Sequence, residues 1–445
     1  MQLTTLALVI IVGILAAGEG ARADEVPAPP AAPPPTAAAV GPGFTLELGG
    51  YGELGLAFHD HGIDRNRPGG ALDDRRLELD TTRVVFAIEG SLPAGLEFEA
   101  EVELAHGGTG AAREIEYDEF GEFEQEVEQG GEVVVEELHV KRTFAGRYQL
   151  AAGRFYVALG HLASHYRPTD YLGAERSEAE TTIFPGQWDE MGIAFTAALP
   201  RVRLTAQVVN GLDSAGFGSR AWVASGHQGA YETIRASSLA AVARVDIELA
   251  AGTLVGAAAY VGGSSRNRPK ADLVAECAAA DRDNDDVAPC GYIAGTVAIG
   301  EVHARWAWRG LRGQALAVVG YLENADAISA RNDRLSNDAG VERTPVADNA
   351  IALAAELGYD VAPHVGAGAA NELSPFVRFD HLDTMARVRA ALFDNPRFER
   401  TLVGAGVAYT YGRAFTAKLE LQRRWYGSSE LRAEHTVRAT TGFVF

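Results

Sequence analysis

Four glutamates stand at every second position of "LEFEAEVEL": Glu97, Glu99, Glu101 and Glu103 alternate with Phe98, Ala100, Val102 and Leu104. In an extended chain successive side chains point to opposite faces, so the carboxylates share one face and the apolar groups the other. A row of carboxylates beside confined water attracts cations, and charged rings set selectivity where ions pass. Arg83, His139 and Lys141 lie on neighbouring segments and are the candidate counter-charges. The same alternation separates Arg244, Asp246 and Glu248 from Leu239, Val245, Ile247 and Leu249. It separates Glu301, His303 and Arg305 from Val302, Ala304, Trp306 and Trp308. It places Arg378 and Asp380 together in "PFVRFDHL", and Lys418 and Glu420 opposite Phe415, Ala417, Leu419 and Leu421. These seventeen residues are the candidate lumen-lining charges.

Other chemistry is sparse. Cys277 and Cys290 are the only cysteines, both in the polar stretch 264–292, where a disulfide is allowed if the chain is exported. "DRDNDD", 281–286, lacks the glycine and the distal glutamate of a calcium loop. His59 with His61, and His161 with His165, have ligand-like spacing but no third partner, so no metal or cofactor is assigned. The acidic stretch 114–132 suits either divalent cations shared with lipopolysaccharide or plain solvation. No G-x-S-x-G, P-loop, C-x-x-C or H-E-x-x-H occurs, and no enzyme activity is expected.

The alternation recurs in sixteen segments: about 44–58, 76–90, 95–105, 132–144, 147–158, 188–199, 201–210, 238–250, 252–263, 293–309, 311–323, 349–361, 372–383, 398–411, 413–426 and 434–445. Every second connection is short ("SLPAG", "FAGR", "LP", "AAG", "RGL", "YGR"), and only the one near 362–371 is longer. The others are long and polar. Strict short/long alternation predicts an antiparallel up-and-down meander with different loops at its two ends, the layout of outer-membrane barrels. A sheet in hydrocarbon must close on itself, because nothing there satisfies an open edge. Strands of about ten residues span when tilted, and sixteen leave an aqueous interior. The expected fold is therefore an all-β transmembrane barrel of about sixteen strands, with eighteen as the alternative, over residues 44–445. The chain's last strand alternates too: Phe443 and Phe445 would face lipid.

The first 23 residues read as a secretory signal, with the apolar run "LALVIIVGILAAG" and the cleavage site Ala21-Arg22-Ala23. Residues 24–43, rich in Pro and Ala, are expected to be an extended periplasmic spacer. With 60 acidic against 39 basic side chains and a net charge of −21, nucleic acid is excluded as a partner.

"RVVFAIEGSLPAGLEFEAEVEL", "FPGQWDEMGIAFTAALP", "ELSPFVRFDHLDT" and the closing "GFVF" resemble the phosphate-selective porin family, the relatives of porins O and P. The resemblance covers most of the barrel as a style of strand and turn. It implies a bacterial outer-membrane location, insertion by the barrel-assembly machinery through the terminal aromatic strand (Phe443, Phe445), contact with lipid and lipopolysaccharide, and a homotrimer. It implies that the third long loop, 159–187, folds inward as a constriction carrying Arg167, Asp170, Glu175, Arg176 and Glu178; a solvated cap over the barrel is the alternative. The family's phosphate channel implies a lumen ladder of Arg and Lys, whereas the clearest ladder here is four glutamates. The expected function is passive diffusion of small hydrophilic solutes with a preference for cations. The alternatives are a phosphate- or anion-selective channel, and a non-conducting barrel serving as receptor, adhesin or scaffold.

Overall fold

The computed structural model describes residues 36–41, 44–61, 74–108, 111–112, 128–129, 131–228, 234–267, 284, 286–335, 341–389 and 392–445. The signal segment 1–23, the spacer up to residue 35, most of the acidic stretch 114–132, the segment 281–283 and Cys277 lie outside the described residues.

One seventeen-stranded antiparallel sheet contains a short N-terminal strand and sixteen strands that close into a ring. The sixteen are β1 (Phe44–His61), β2 (Asp74–Leu92), β3 (Leu96–Ala105), β4 (Glu132–Phe144), β5 (Tyr148–Tyr156), β6 (Asp189–Ala198), β7 (Val202–Asn210), β8 (Leu239–Ala250), β9 (Thr253–Gly263), β10 (Thr296–Trp308), β11 (Leu311–Leu322), β12 (Asn349–Tyr359), β13 (Asn371–Arg387), β14 (Glu399–Tyr411), β15 (Phe415–Tyr426) and β16 (Glu434–Val444). Each pairs with the next, and β16 pairs with β1 from His435↔Asp60 to Val444↔Tyr51. The ring is sealed by the last residue: the Gly50 N–H donates to the Phe445 carbonyl at 3.0 Å, and the Phe445 N–H donates back to Gly50 at 3.0 Å. Gly52 leaves room for the closing strand, since a Cβ there would stand 2.4 Å from the Phe443 ring.

The expected spacer needs one correction. Thr36–Gly41 is a strand that pairs antiparallel with the start of β1, from Thr36↔Leu48 to Gly41↔Phe44. The prolines before it lack the N–H a ladder needs; the run after Pro35 contains none until Pro42, so its backbone can pair.

The apolar parity faces outward. Leu79 is 82% exposed, Leu138 59% and Leu421 60%, and Phe443 and Phe445 are 40% and 52% exposed. A closed barrel with such a belt is a transmembrane barrel of the bacterial outer membrane. Trp308, Tyr411 and Trp425 lie exposed near strand ends, where amphipathic rings suit the interface.

The buried core is inside the barrel and is largely built by loops. Leu212, Phe217, Trp222 and Val223 from the β7–β8 loop and Ile328 from helix α2 (Ala325–Asp333) pack on the inward residues Tyr260, Val297, Ile299 and Leu322. Trp222 donates through Nε1 to the Ala347 carbonyl at 3.0 Å. It lies over Gly320, where a Cβ would meet its ring at 2.3 Å. Over β8–β12 the long-loop end of the lumen is therefore filled by this core.

Candidate functional site

Residues 157–188, between β5 and β6, turn into the lumen and cross it. The short helix α1 (Glu178–Ile183) starts at Ser177, whose hydroxyl accepts the Glu180 N–H at 3.2 Å. The loop backbone is held by charged side chains of the far wall. Glu356 on β12 accepts the N–H of Leu172 at 3.0 Å and of Gly173 at 3.2 Å. Glu420 on β15 accepts the Ala174 N–H at 2.7 Å. Lys418 donates to the carbonyls of Tyr171 and Gly173 at 2.8 and 2.9 Å. Arg378 donates to the Glu175 carbonyl at 2.9 Å, and Asp380 accepts the Ala179 N–H at 3.2 Å and the Ser177 hydroxyl. Such charge-assisted bonds fix geometry more strongly than neutral ones.

The loop's own charges complete the clamp. Glu178 binds Arg400 at 2.9 Å and Arg424 at 2.6 Å. Glu175 binds Arg438 at 2.9 Å and accepts from Gln422 at 2.9 Å. Burial raises the Glu175 carboxyl, but Arg438 and Arg378 outweigh it and hold the group below the usual carboxylate range. At Glu180 burial wins: it pushes the group up to about 7, although the carboxylate accepts the Leu162 N–H at 2.8 Å and the charge of Arg244 pulls the other way. On the near wall Tyr166 donates to Glu101 at 3.0 Å, Tyr171 donates to Glu53, and Arg176 donates to the Tyr51 hydroxyl at 3.3 Å. The Arg167 N–H donates to Asp170 at 3.0 Å, forming a local turn.

The sequence-predicted charges all lie on inward-facing positions but divide into three environments. Arg378, Asp380, Lys418, Glu420 and Glu301 are buried beneath the loop or within the wall. The inner loop covers Arg378, Lys418 and Glu420, so water does not reach them as a ladder. Arg244, Asp246, Glu248, His303 and Arg305 border a cavity of about 520 Å³ near the short-turn end. There Arg244 donates to Asp246 at 2.9 Å, and His303 reaches Asp246 at 2.7 Å and Glu301 at 3.0 Å. The third set lies on β2–β4. Lys141 donates to Glu99 at 2.6 Å, His139 stands 3.5 Å from Glu99, and Arg83 lies 3.5 Å from Glu103 and 3.0 Å from Glu53. Glu97 pairs in register with Lys141.

Beside that third set is the larger open space, about 710 Å³, between β1–β4 and the inner loop. It is bordered by Glu53, Asp80, Glu103, Glu132, Glu136, Glu175 and Asp189 against Arg83, Arg176 and Arg438. A second space of about 660 Å³ shares with it the lip Thr181, Pro185, Gly186 and Ala224, and holds Arg76, Arg220, Arg397 and Arg400. The second space extends to the long loops, where Glu342, Thr344 and Asn395 border it.

Glu136 and Glu137 were not among the predicted residues. The β3–β4 ladder slips between Glu101↔Glu137 and Val102↔Val135, so a bulge turns both glutamates inward. The signal is visible in "EVVVEELHV": the outward apolar series runs on odd numbers at Val133 and Val135 and on even numbers at Leu138 and Val140. The Tyr156 hydroxyl lies 2.8 Å from Glu101 and 2.9 Å from Glu136. Glu99, Glu101 and Glu137 each bring a carboxylate oxygen within 4.8 Å of the others, the one such group among the described residues. Lys141, Tyr156 and Tyr166 already engage two of the three. His59 and His161 are occupied by Glu78 and the Ala315 carbonyl.

No family model matches the sequence, and no curated protein matches it. Solved structures share its fold. OmpF of Salmonella typhi in complex with daunomycin aligns over 91% of this chain and 98% of its own, with a TM-score of 0.52 at 11% identity. The outer-membrane channel DcaP of Acinetobacter baumannii aligns over 91% and 98%, at 0.50 and 12%. An anion-selective porin from Comamonas acidovorans aligns over 90% and 100%, at 0.50 and 9%. At these identities the likeness is one of fold: a porin-type barrel.

Proposed function

We propose that this barrel is a channel for passive diffusion of small hydrophilic solutes, that water runs in a lane between the inner loop and β1–β4, and that the lane prefers cations. The observation carrying this is the 710 Å³ space, where seven carboxylates face three guanidiniums. In this proposal loop 159–187 is the constriction, and Arg167, Asp170, Glu175, Arg176 and Glu178 shape it. A phosphate-type ladder is disfavoured because Arg378, Lys418, Arg400 and Arg424 are committed to the loop. Lipid, lipopolysaccharide, the barrel-assembly machinery acting on the Phe443/Phe445 strand, and a homotrimer belong to the same proposal.

A non-conducting surface barrel is the second possibility, favoured by the loop core that fills the lumen over β8–β12. Planar-bilayer recordings of purified protein separate the two. Discrete conductance steps support the channel, and a silent bilayer containing correctly folded protein supports the receptor or scaffold.

A further inference from the structure

Charge at the short-turn rim runs against the composition. Acids outnumber bases 60 to 39 in the chain, yet the short turns carry Arg147, Arg201, Arg309 and Arg413. The one carboxylate in those turns, Asp360, accepts the backbone N–H groups of Ala362 and Leu373 at 2.9 and 3.0 Å. Arg142 adds a fifth guanidinium on the outward face of β4, in line with the exposed Val140 and Phe144. All five arginines are exposed, and none makes an ion pair or a side-chain hydrogen bond with another described residue.

Two of them lie against lipid-facing rings. The Arg142 guanidinium is 5.2 Å from the Phe144 ring centre, and that of Arg309 is 5.0 Å from Trp308, itself 60% exposed. The turn backbone gives no reason for arginine. Arg309 and Arg413 adopt left-handed φ values of 49° and 59°, and Ala94 and Ala145 fill equivalent turns at 67° and 50°. The cations are thus exposed, unneutralised, and placed where the apolar belt ends.

We infer that this rim binds the phosphate groups of anionic phospholipid in the leaflet facing the short turns. A guanidinium matches a phosphate in a two-point hydrogen bond, and its apolar stem can lie along the belt while the head reaches the interface. The neighbouring rings hold two of the heads at headgroup depth. Continuity with the lipid-facing surface selects lipid over a soluble acidic partner. A basic side chain near an anionic bilayer surface is worth roughly a fivefold preference.

The test uses full-length protein in vesicles, with Trp306→Phe and Trp425→Phe leaving Trp308 as the exposed tryptophan. Its fluorescence is quenched by brominated-chain phosphatidylglycerol or brominated-chain phosphatidylcholine. The expected result is a roughly fivefold preference for phosphatidylglycerol, reduced to near one by Arg142→Gln with Arg309→Gln and retained by the two Arg→Lys changes. Equal quenching by the two lipids, which needs no rim variant, overturns the inference. So does a preference that survives the Gln pair. If the Gln pair instead loses sedimentation with purified cell-wall sacculi while keeping its lipid preference, the rim serves cell-wall carboxylates and the inference is again overturned.

Discussion

Lys418 is the simplest point at which to release the inner loop. It is 5% exposed and donates to two loop carbonyls, at 2.8 and 2.9 Å, with Tyr171 stacked 3.8 Å from its ammonium. Lys418→Met keeps the stem and removes both donations. Hydrogen bonds to charged groups contribute roughly 1.5–3 kcal/mol each, so two amount to roughly 3–6 kcal/mol. Glu356, Glu420, Arg378 and Asp380 still hold neighbouring positions, and part of the loss will be recovered by relaxation. We therefore assign about 3 kcal/mol to local opening, which is roughly a hundredfold in the opening constant. Hydrogen exchange read by mass spectrometry should show the amides of Leu172, Gly173 and Ala174 exchanging about a hundredfold faster, with β1–β4 unchanged. Wild-type exchange at those amides, or equal acceleration throughout the barrel, would refute the clamp.

Three further outcomes follow from the same structure. Deleting Phe445 removes both of its backbone bonds with Gly50, and replacing it with Asp puts a charge at an exposed outward position, so either change should reduce heat-modifiable protein in the outer membrane; normal amounts of the variants would remove that role. Thiol titration of unfolded, unreduced mature protein should find no free cysteine if Cys277 and Cys290 are paired, a cross-link worth on the order of 3 kcal/mol to the ordering of its loop; two free thiols would exclude the bond. Glu180 titrates near 7 when folded against an ordinary 4.5, so its favourable, protonated state is fully present below about pH 4.5 and is lost as pH rises toward 7. Glu180→Gln keeps an acceptor for the Leu162 N–H and should narrow the difference in melting temperature between pH 4 and pH 8, by at most roughly 3 kcal/mol of stability; an unchanged difference would mean that the carboxyl does not control it.

The barrel was legible because a membrane imposes period 2 on each strand. Leu419 and Leu421 must meet lipid, so Lys418 and Glu420 must turn inward, and no tertiary knowledge is needed to say so. The fate of those inward groups was not legible. Parity cannot tell water from a loop, and the bonds from Glu420 to Ala174 and from Lys418 to Gly173 span more than 240 residues. The loop core was hidden for a similar reason: Leu212, Trp222 and Ile328 follow no regular repeat, and only their meeting inside the barrel makes them a core. Glu136 and Glu137 were recoverable in principle, since the apolar series changes parity between Val135 and Leu138 and a bulge is the economical explanation. The strand at Thr36–Gly41 was obscured by treating residues 24–43 as one Pro/Ala tract, although its ladder-competent part begins after Pro35.

An acid-lined lane should prefer cations, and the sharpest check is the reversal potential of the wild-type channel under a KCl gradient at low salt. Screening acts over about 10 Å at 0.1 M, so the carboxylates around the 710 Å³ space should be felt most strongly when salt is dilute. The structure predicts a cation-selective potential that moves toward zero when Glu103 and Glu136 are replaced by Gln. It also predicts a smaller movement when Glu97 and Glu99, on the Lys141 side of the ladder, are replaced. An anion-selective potential in the wild type, or one that stays unchanged in the Glu103→Gln, Glu136→Gln channel, would contradict it.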